Sequence, residues 1–233
     1  MKSLAGWLIK LTLTAFIAGL AAIPAWAAQP DPAVLAAKVQ ERYKSVQSLK
    51  ADYSRTSRMV AGGGQSARLV EAKGRLFWQR PTSLRMEQDQ PRLELVVTTP
   101  QGVWWVRPQR KRADLYPLEQ FTAGLQSLLD TLGGLAKVEE AFKLEKPTQA
   151  ESAAASGPLL VLSPKERRVD LKRLVVWFDS QELLLKGFRL VSLMGDVTEY
   201  RLSEVQVNPG LVKDAFSYEA PAGFKVRDHR PRR

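Results

Sequence analysis

The feature that most restricts the fold is a proline set between two alternating runs, Gly74-Arg75-Leu76-Phe77-Trp78-Gln79-Arg80-Pro81-Thr82-Ser83-Leu84-Arg85-Met86. In an extended chain successive side chains face opposite ways, so Gly74, Leu76, Trp78 and Arg80 share one side, and Arg75, Phe77 and Gln79 the other. Proline has no N–H to give to a ladder, so Pro81 bends or ends the strand. The segment reads as two strands meeting at a corner, with Leu84 and Met86 on one face of the second. Arg80 ends a row that otherwise holds a bare backbone, a leucine and an indole. Two readings are open for it. Its stem lies on the apolar surface with the charged head in water, or its five donors tie down the carbonyls of another segment.

The same alternation continues on both sides. Ser48 to Val60 carries Leu49, Ala51 and Tyr53 on one parity, Ala61-Gly62-Gly63-Gly64-Gln65 is a hairpin loop, and Ala67 to Arg80 is the return strand. Ser83 to Gln88, Leu93 to Thr99, Val103 to Arg107 and Arg112 to Tyr116 follow, separated by turn residues. Turns at intervals of roughly 8–12 residues are the all-β pattern, here an antiparallel meander. Trp104 and Trp105 are neighbours and point to opposite faces; alternation alone does not say which is inside.

Then the period changes. Phe121, Leu125, Leu128, Leu129 and Leu132 make a helical stripe, Gly133-Gly134 signals its end, and a second short helix is expected over Leu135 to Ala141. Amphipathic helices inserted into a meander need a surface to cover, and the concave face of the sheet is the natural one. Pro147 to Gly157, rich in Ala, Ser and Glu, reads as a mobile loop. Strands return at Leu159 to Leu162, Leu171 to Asp179, Leu183 to Leu193 and Val197 to Val207, with hairpin turns at Asp179-Ser180-Gln181 and Gly195-Asp196. A last strand is expected through Phe216 and Tyr218. At the other end, Asp31-Pro32 starts a helix whose stripe is Leu35, Val39, Tyr43 and Val46, packed on the outside of a sheet.

The first segment is read as a secretory signal. Lys2 and Lys10 flank Trp7-Leu8-Ile9, an apolar run extends from Leu11 to Ile23, and Ala25-Trp26-Ala27 is a small-x-small cleavage site. The run is shorter than the roughly 20 apolar residues a spanning helix needs. Residues 1–27 are therefore taken as the signal peptide, 28–227 as the folded domain, and 228–233 as a basic disordered tail. Removing the signal takes away two lysines and no acidic residue, so the net charge falls from +11 to +9. A basic exported protein is expected to meet anionic headgroups or an acidic partner, not nucleic acid.

Chemistry is narrowly bounded. There is no cysteine and a single histidine, His229 in the tail. Thiolate chemistry and a multi-histidine metal site have no residues to build them, and a Ser-His-Asp arrangement would have to draw on the one tail histidine. Gly62-Gly63-Gly64 lacks the Lys-Ser/Thr and helix of a phosphate loop. No catalytic residue, metal or cofactor is expected, and the chain reads as a binding protein, not an enzyme.

Gly-x-Leu-x-Trp-x-Arg-Pro, a short strand, a turn and Val103-Trp104-Trp105-Val106, in that order and spacing, resemble the LolA family of periplasmic outer-membrane lipoprotein carriers. Ala215-Phe216-Ser217-Tyr218-Glu219-Ala220-Pro221-Ala222-Gly223-Phe224-Lys225-Val226 is similar to that family's closing strand. The resemblance runs from about Pro32 to Val226. It implies an α+β, mainly antiparallel fold: one curved, half-open β-barrel of about eleven strands, with an N-terminal helix and a helical lid over a hydrophobic cavity. It implies that Arg80 latches a lid formed by Phe121, Leu125, Leu128, Leu129 and Leu132, and that Tyr53, Leu76, Trp78, Leu84 and Met86 line the acyl-chain cavity. The chain departs from the family in having aliphatic Leu84 and Met86 where aromatics are usual, and Tyr53-Ser54-Arg55 where Phe-x-Gln is usual.

The implied role is a monomeric periplasmic chaperone. It would take acylated lipoproteins from an inner-membrane LolCDE-type ABC transporter and hand them to a LolB-type acceptor at the outer membrane. Three other readings stay open: a carrier or sensor of another envelope lipid on the same fold, an exported lipid hydrolase, and a structural protein held to anionic lipid.

Overall fold

A computed structural model describes residues 30–60, 68–118, 138, 142–167, 171–212 and 214–231. The signal segment, the Ala61–Gln65 loop and the short helix expected over Leu135 to Ala141, Val138 apart, lie outside the described residues, and so do all five lid positions. Helix α1 (Pro32–Tyr43) starts as its sequence predicts. The Asp31 carboxylate accepts from the N–H of Ala33 at 2.9 Å and of Val34 at 3.3 Å, with Pro32 in the first turn.

The described residues form twelve strands: β1 (Ser48–Met59), β2 (Arg68–Gln79), β3 (Ser83–Gln90), β4 (Glu94–Thr99), β5 (Gly102–Arg107), β6 (Arg112–Tyr116), β7 (Phe142–Glu145), β8 (Leu159–Pro164), β9 (Arg173–Phe178), β10 (Leu185–Val191), β11 (Val197–Val207) and β12 (Lys225–Asp228). They make one sheet in the order β12-β6-β5-β4-β3-β2-β1-β11-β10-β9-β8-β7. All neighbours are antiparallel except β12, which runs parallel to β6. The two edges, β12 and β7, do not meet, so the sheet curves but stays open.

One strand is added to the expected eleven or so, and two expectations are corrected. The strand beyond the expected eleven is β7, whose four residues are too few to show an alternation. The last strand is not at Phe216 and Tyr218. Phe216 lies in a turn and Tyr218 rests on Trp104 at 5.2 Å, while Lys225–Asp228, exposed throughout, pairs with Arg112–Leu115. An edge strand with no buried parity leaves no pattern to read. The Pro147–Gly157 stretch holds a helix, α2 (Gln149–Ala154), because Thr148 and Glu151 form a capping box.

Register decides which side chains share a face. Ala51, Leu76, Met86, Val96, Trp105 and Asp114 stand opposite one another across six strands. Trp105 is therefore on the inner face with Leu76, and Trp104 is on the outer one beside Tyr218. Inner residues of β1 to β3 and β8 to β11 form one contiguous apolar cluster. The sequence reading puts α1 outside a sheet; its Leu35, Ala36, Val39 and Tyr43 instead join this inner cluster.

Candidate functional site

Tyr53, Leu76, Trp78, Leu84 and Met86, from three adjacent strands, meet in that cluster, and Leu76, Trp78 and Leu84 are fully buried. Alternation puts them there: each occupies the inward parity of its strand. The covering helix adds its own apolar stripe from above. The Trp78 indole N–H is buried without an acceptor among the described residues. An orphaned donor of this kind is costly in an apolar site.

Arg80 sits at the strand corner, where its guanidinium lies over the Trp78 ring, 5.6 Å from its centroid. Its Nε donates to the carbonyl of Val46 at 2.6 Å and its Nη2 to that of Tyr43 at 2.8 Å. Its backbone N–H donates to the Gln47 carbonyl at 2.9 Å. The carbonyl that ends α1 and the turn after it are thus held from β2. Among the described residues the partners of Arg80 are on α1 and its following turn; contacts to the lid positions lie outside them.

Two further groups fix the same helix end, and the sequence reading missed both. The Tyr43 hydroxyl accepts from the Leu185 N–H at 2.9 Å, pinning α1 to β10. Burial pushes the Tyr43 phenol up to about 12, only partly offset by that bond. Asn208 has φ 52°, and its side chain accepts from the N–H groups of Gln47 and Ser48 at 2.7 and 3.2 Å while donating to Ser45 at 3.0 Å. An Asn just past a long strand is a weak signal for such a bracket.

At the far side of the sheet the inner face turns polar. Asp114 has no exposed side-chain surface and is bound by Arg107, by Arg112 at 2.7 Å and by His229 Nε2 at 2.8 Å. Burial alone would raise its pKa; the bonds from Arg112, His229 and Arg107 outweigh that and hold the carboxyl well below the usual carboxylate range. The His229 ring also stacks on Tyr116 at 4.3 Å, and Arg230 donates to the Gln101 carbonyl. Asp228 to Arg230 are therefore docked on β6, where a disordered tail is expected; the buried carboxylate is the reason. Its signal was an acidic residue inside the apolar run Ala113-Asp114-Leu115. Beside this cluster, Trp105 donates to Glu94 at 3.0 Å and lies under Arg107 in a cleft of about 220 Å³ also lined by Arg92, Leu93 and Gln109.

Among the described residues no group of three His, Asp or Glu side chains is placed to hold a metal ion. No helix there is long and apolar enough to cross a membrane. The described residues thus form an open curved sheet with an inner face that is apolar over β1 to β3 and β8 to β11, and a helix held across that face by Arg80, Tyr43 and Asn208. Residues 44–219 match the model of the LolA family, described as outer membrane lipoprotein carrier protein. The chain belongs to that family. The outer-membrane lipoprotein carrier protein of Methylobacillus flagellatus is 25% identical over 191 residues, covering 79% of this chain and 89% of that protein. That of Pseudomonas aeruginosa is 25% identical over 218 residues, covering 94% and 99%. An uncharacterized conserved protein from Thermus thermophilus shares the fold, with a TM-score of 0.50 at 12% identity over 83% of this chain and 98% of that one.

Proposed function

We propose that the chain is a periplasmic chaperone that carries acylated lipoproteins from an inner-membrane ABC transporter of the LolCDE type to an outer-membrane acceptor. Residues 1–27 would direct export and be removed. The observation that carries this reading is the inner apolar face closed by α1, with Arg80 as the tie.

The physical logic is a balance. Each buried methylene contributes about 0.8 kcal/mol, so several acyl chains in an apolar site would bind almost irreversibly. A cover that closes on its own when the site is empty opposes that, because ligand must displace it. Arg80 supplies hydrogen bonds that opening has to break. Tyr53, Leu76, Trp78, Leu84 and Met86 then form the acyl-facing wall, and Phe121, Leu125, Leu128, Leu129 and Leu132 complete the cover. Family membership and the names of the relatives support the carrier role.

The test uses the mature protein and a fluorescent fatty-acyl probe. Uptake of the probe, and its displacement by a purified triacylated lipoprotein, is the expected result. Absence of uptake by both the parent and an Arg80→Leu variant would overturn the reading.

A further inference from the structure

The inner face is graded from apolar to polar along the strands. Rows in register run from Leu49, Trp78 and Leu84 through Ala51, Leu76 and Met86 to Tyr53, Gly74 and Gln88. Next come Arg55 and Ala72 with Tyr200, and then Ser57 with Thr198, whose hydroxyls are 3.3 Å apart. From Leu49 to Arg55 is six residues of strand, about 20 Å at 3.3 Å per residue. One end lies against α1; the other offers a cation and hydroxyls.

Arg55 is the unusual member. Its Nη2 donates to the Gln88 amide oxygen at 3.2 Å, and the Tyr200 hydroxyl lies within hydrogen-bond reach. Both partners are neutral. Among the described residues Arg55 has no ion pair, and its Nε is buried with no acceptor. Glu94, two strands beyond β2 on the same face, receives the Trp105 indole N–H instead. Glu94 acts on the Arg55 charge only through space, without a contact ion pair; a half-buried guanidinium whose direct partners are neutral keeps a donor to spare, and an anion brought to it is bound by charge-assisted hydrogen bonds. Opposite Arg55 stands the buried Ala72, whose short side chain offers no polar group to it.

We infer that Arg55 is the head end of the ligand site and receives one anionic oxygen group, a carboxylate or a phosphate. The group belongs to an amphiphile whose chain runs along Tyr53, Leu76 and Trp78. This rests on the proposal that the inner face takes acyl chains, and adds a class of cargo with a charged head. The shared chemistry of the two groups is an oxyanion that accepts from Nε and an Nη.

The experiment compares pyrene-labelled hexadecanoic acid with its methyl ester, on the mature protein at neutral pH. The acid should bind about tenfold more tightly than the ester, the factor expected of one charge-assisted contact. Arg55→Gln should abolish the difference, with its urea midpoint reporting that the variant is folded; Arg55→Lys should keep most of it. Equal affinity of the parent for acid and ester, or a preference that survives in Arg55→Gln, overturns the Arg55 site and leaves the carrier reading standing. Binding of neither probe overturns both. Millimolar inorganic phosphate should leave the acid bound; displacement of the acid with the ester retained would assign the site to a free anion and overturn the amphiphile. Should Arg55→Gln not fold, the acid-to-ester ratio of the parent alone decides.

Discussion

Arg80 Nη2 donates to the carbonyl oxygen of Tyr43 at 2.8 Å, joining the corner after β2 to the end of α1 across 37 residues of chain. The same Tyr43 is pinned through its hydroxyl to Leu185 on β10. One residue at the helix end is thus gripped from both halves of the sheet, and the helix is a clamp across the apolar face as well as a piece of its core.

Arg80→Leu removes the tie and keeps most of the apolar stem. Two hydrogen bonds from a charged donor are worth about 1.5–3 kcal/mol each. The variant should lose roughly 3–6 kcal/mol of stability and exchange the amides of α1 and residues 44–47 faster in hydrogen exchange. It should also bind acyl probes more tightly and release them more slowly. Cargo handed on at the parent's rate would rule out the latch.

Asp114→Asn tests the closure at the far side of the sheet. The substitution leaves Arg107 and Arg112 facing a neutral amide in a site with no exposed carboxylate surface. Breaking a buried ion pair by removing one partner costs about 3–5 kcal/mol. The urea midpoint should fall accordingly, and residues from Lys225 onward should become protease-sensitive. A variant as stable as the parent would mean that the carboxylate does not hold β12.

The fold was legible where alternation had room to show. Strands β1 to β3 alternate buried and exposed side chains, and β8 and β9 are short apolar runs buried on both faces, so these strands and the corner at Pro81 could be read directly. The two strands misjudged, β7 and β12, are the edges of the sheet, four residues each, and β12 has no buried face. The capping box of α2 was present as Thr148-x-x-Glu151 but masked by an alanine- and serine-rich context. Of the site, Tyr53, Leu76, Trp78, Leu84 and Met86 could be placed on one side by parity, strand by strand. Their meeting with α1 could not, because it depends on how far the sheet curls. The grips of Arg80 on Tyr43, Asn208 on Gln47 and His229 on Asp114 join positions far apart in the chain, which periodicity cannot pair.

Glu151 should set part of the acid limb of stability. Burial alone would raise its pKa; bonds from Arg173, and from the N–H and hydroxyl of Thr148, prevail and lower it from 4.5 to about 2. The folded state therefore binds fewer protons than the unfolded one over that range. Its contribution is complete above about pH 4.5 and is lost as pH falls towards about 2. Glu151→Gln should be less stable than the parent near neutrality and approach it as pH drops through that window, in urea titrations across pH. A constant gap at every pH would show that the Arg173 pairing is not the cause.

Gly74 is where β2 has no room for a side chain. The ladder to β3 shifts register between Lys73 and Gly74, and a Cβ at Gly74 would lie 1.9 Å from the Glu87 carbonyl oxygen and 2.8 Å from the Gln88 Cα. Both obstacles are backbone, so no rotamer relieves them; β3 would have to move off β2. Leu76 and Met86 pair two residues along the same ladder, so the displacement would reach the apolar wall. Gly74→Ala should therefore cost about 3 kcal/mol or more in urea unfolding and also weaken acyl-probe binding. Gly210 gives the comparison, since nothing lies within 4 Å of a Cβ there. Gly210→Ala should stay within about 0.5 kcal/mol of the parent. If the two substitutions cost the same, the close approach of β3 is not what reserves position 74 for glycine.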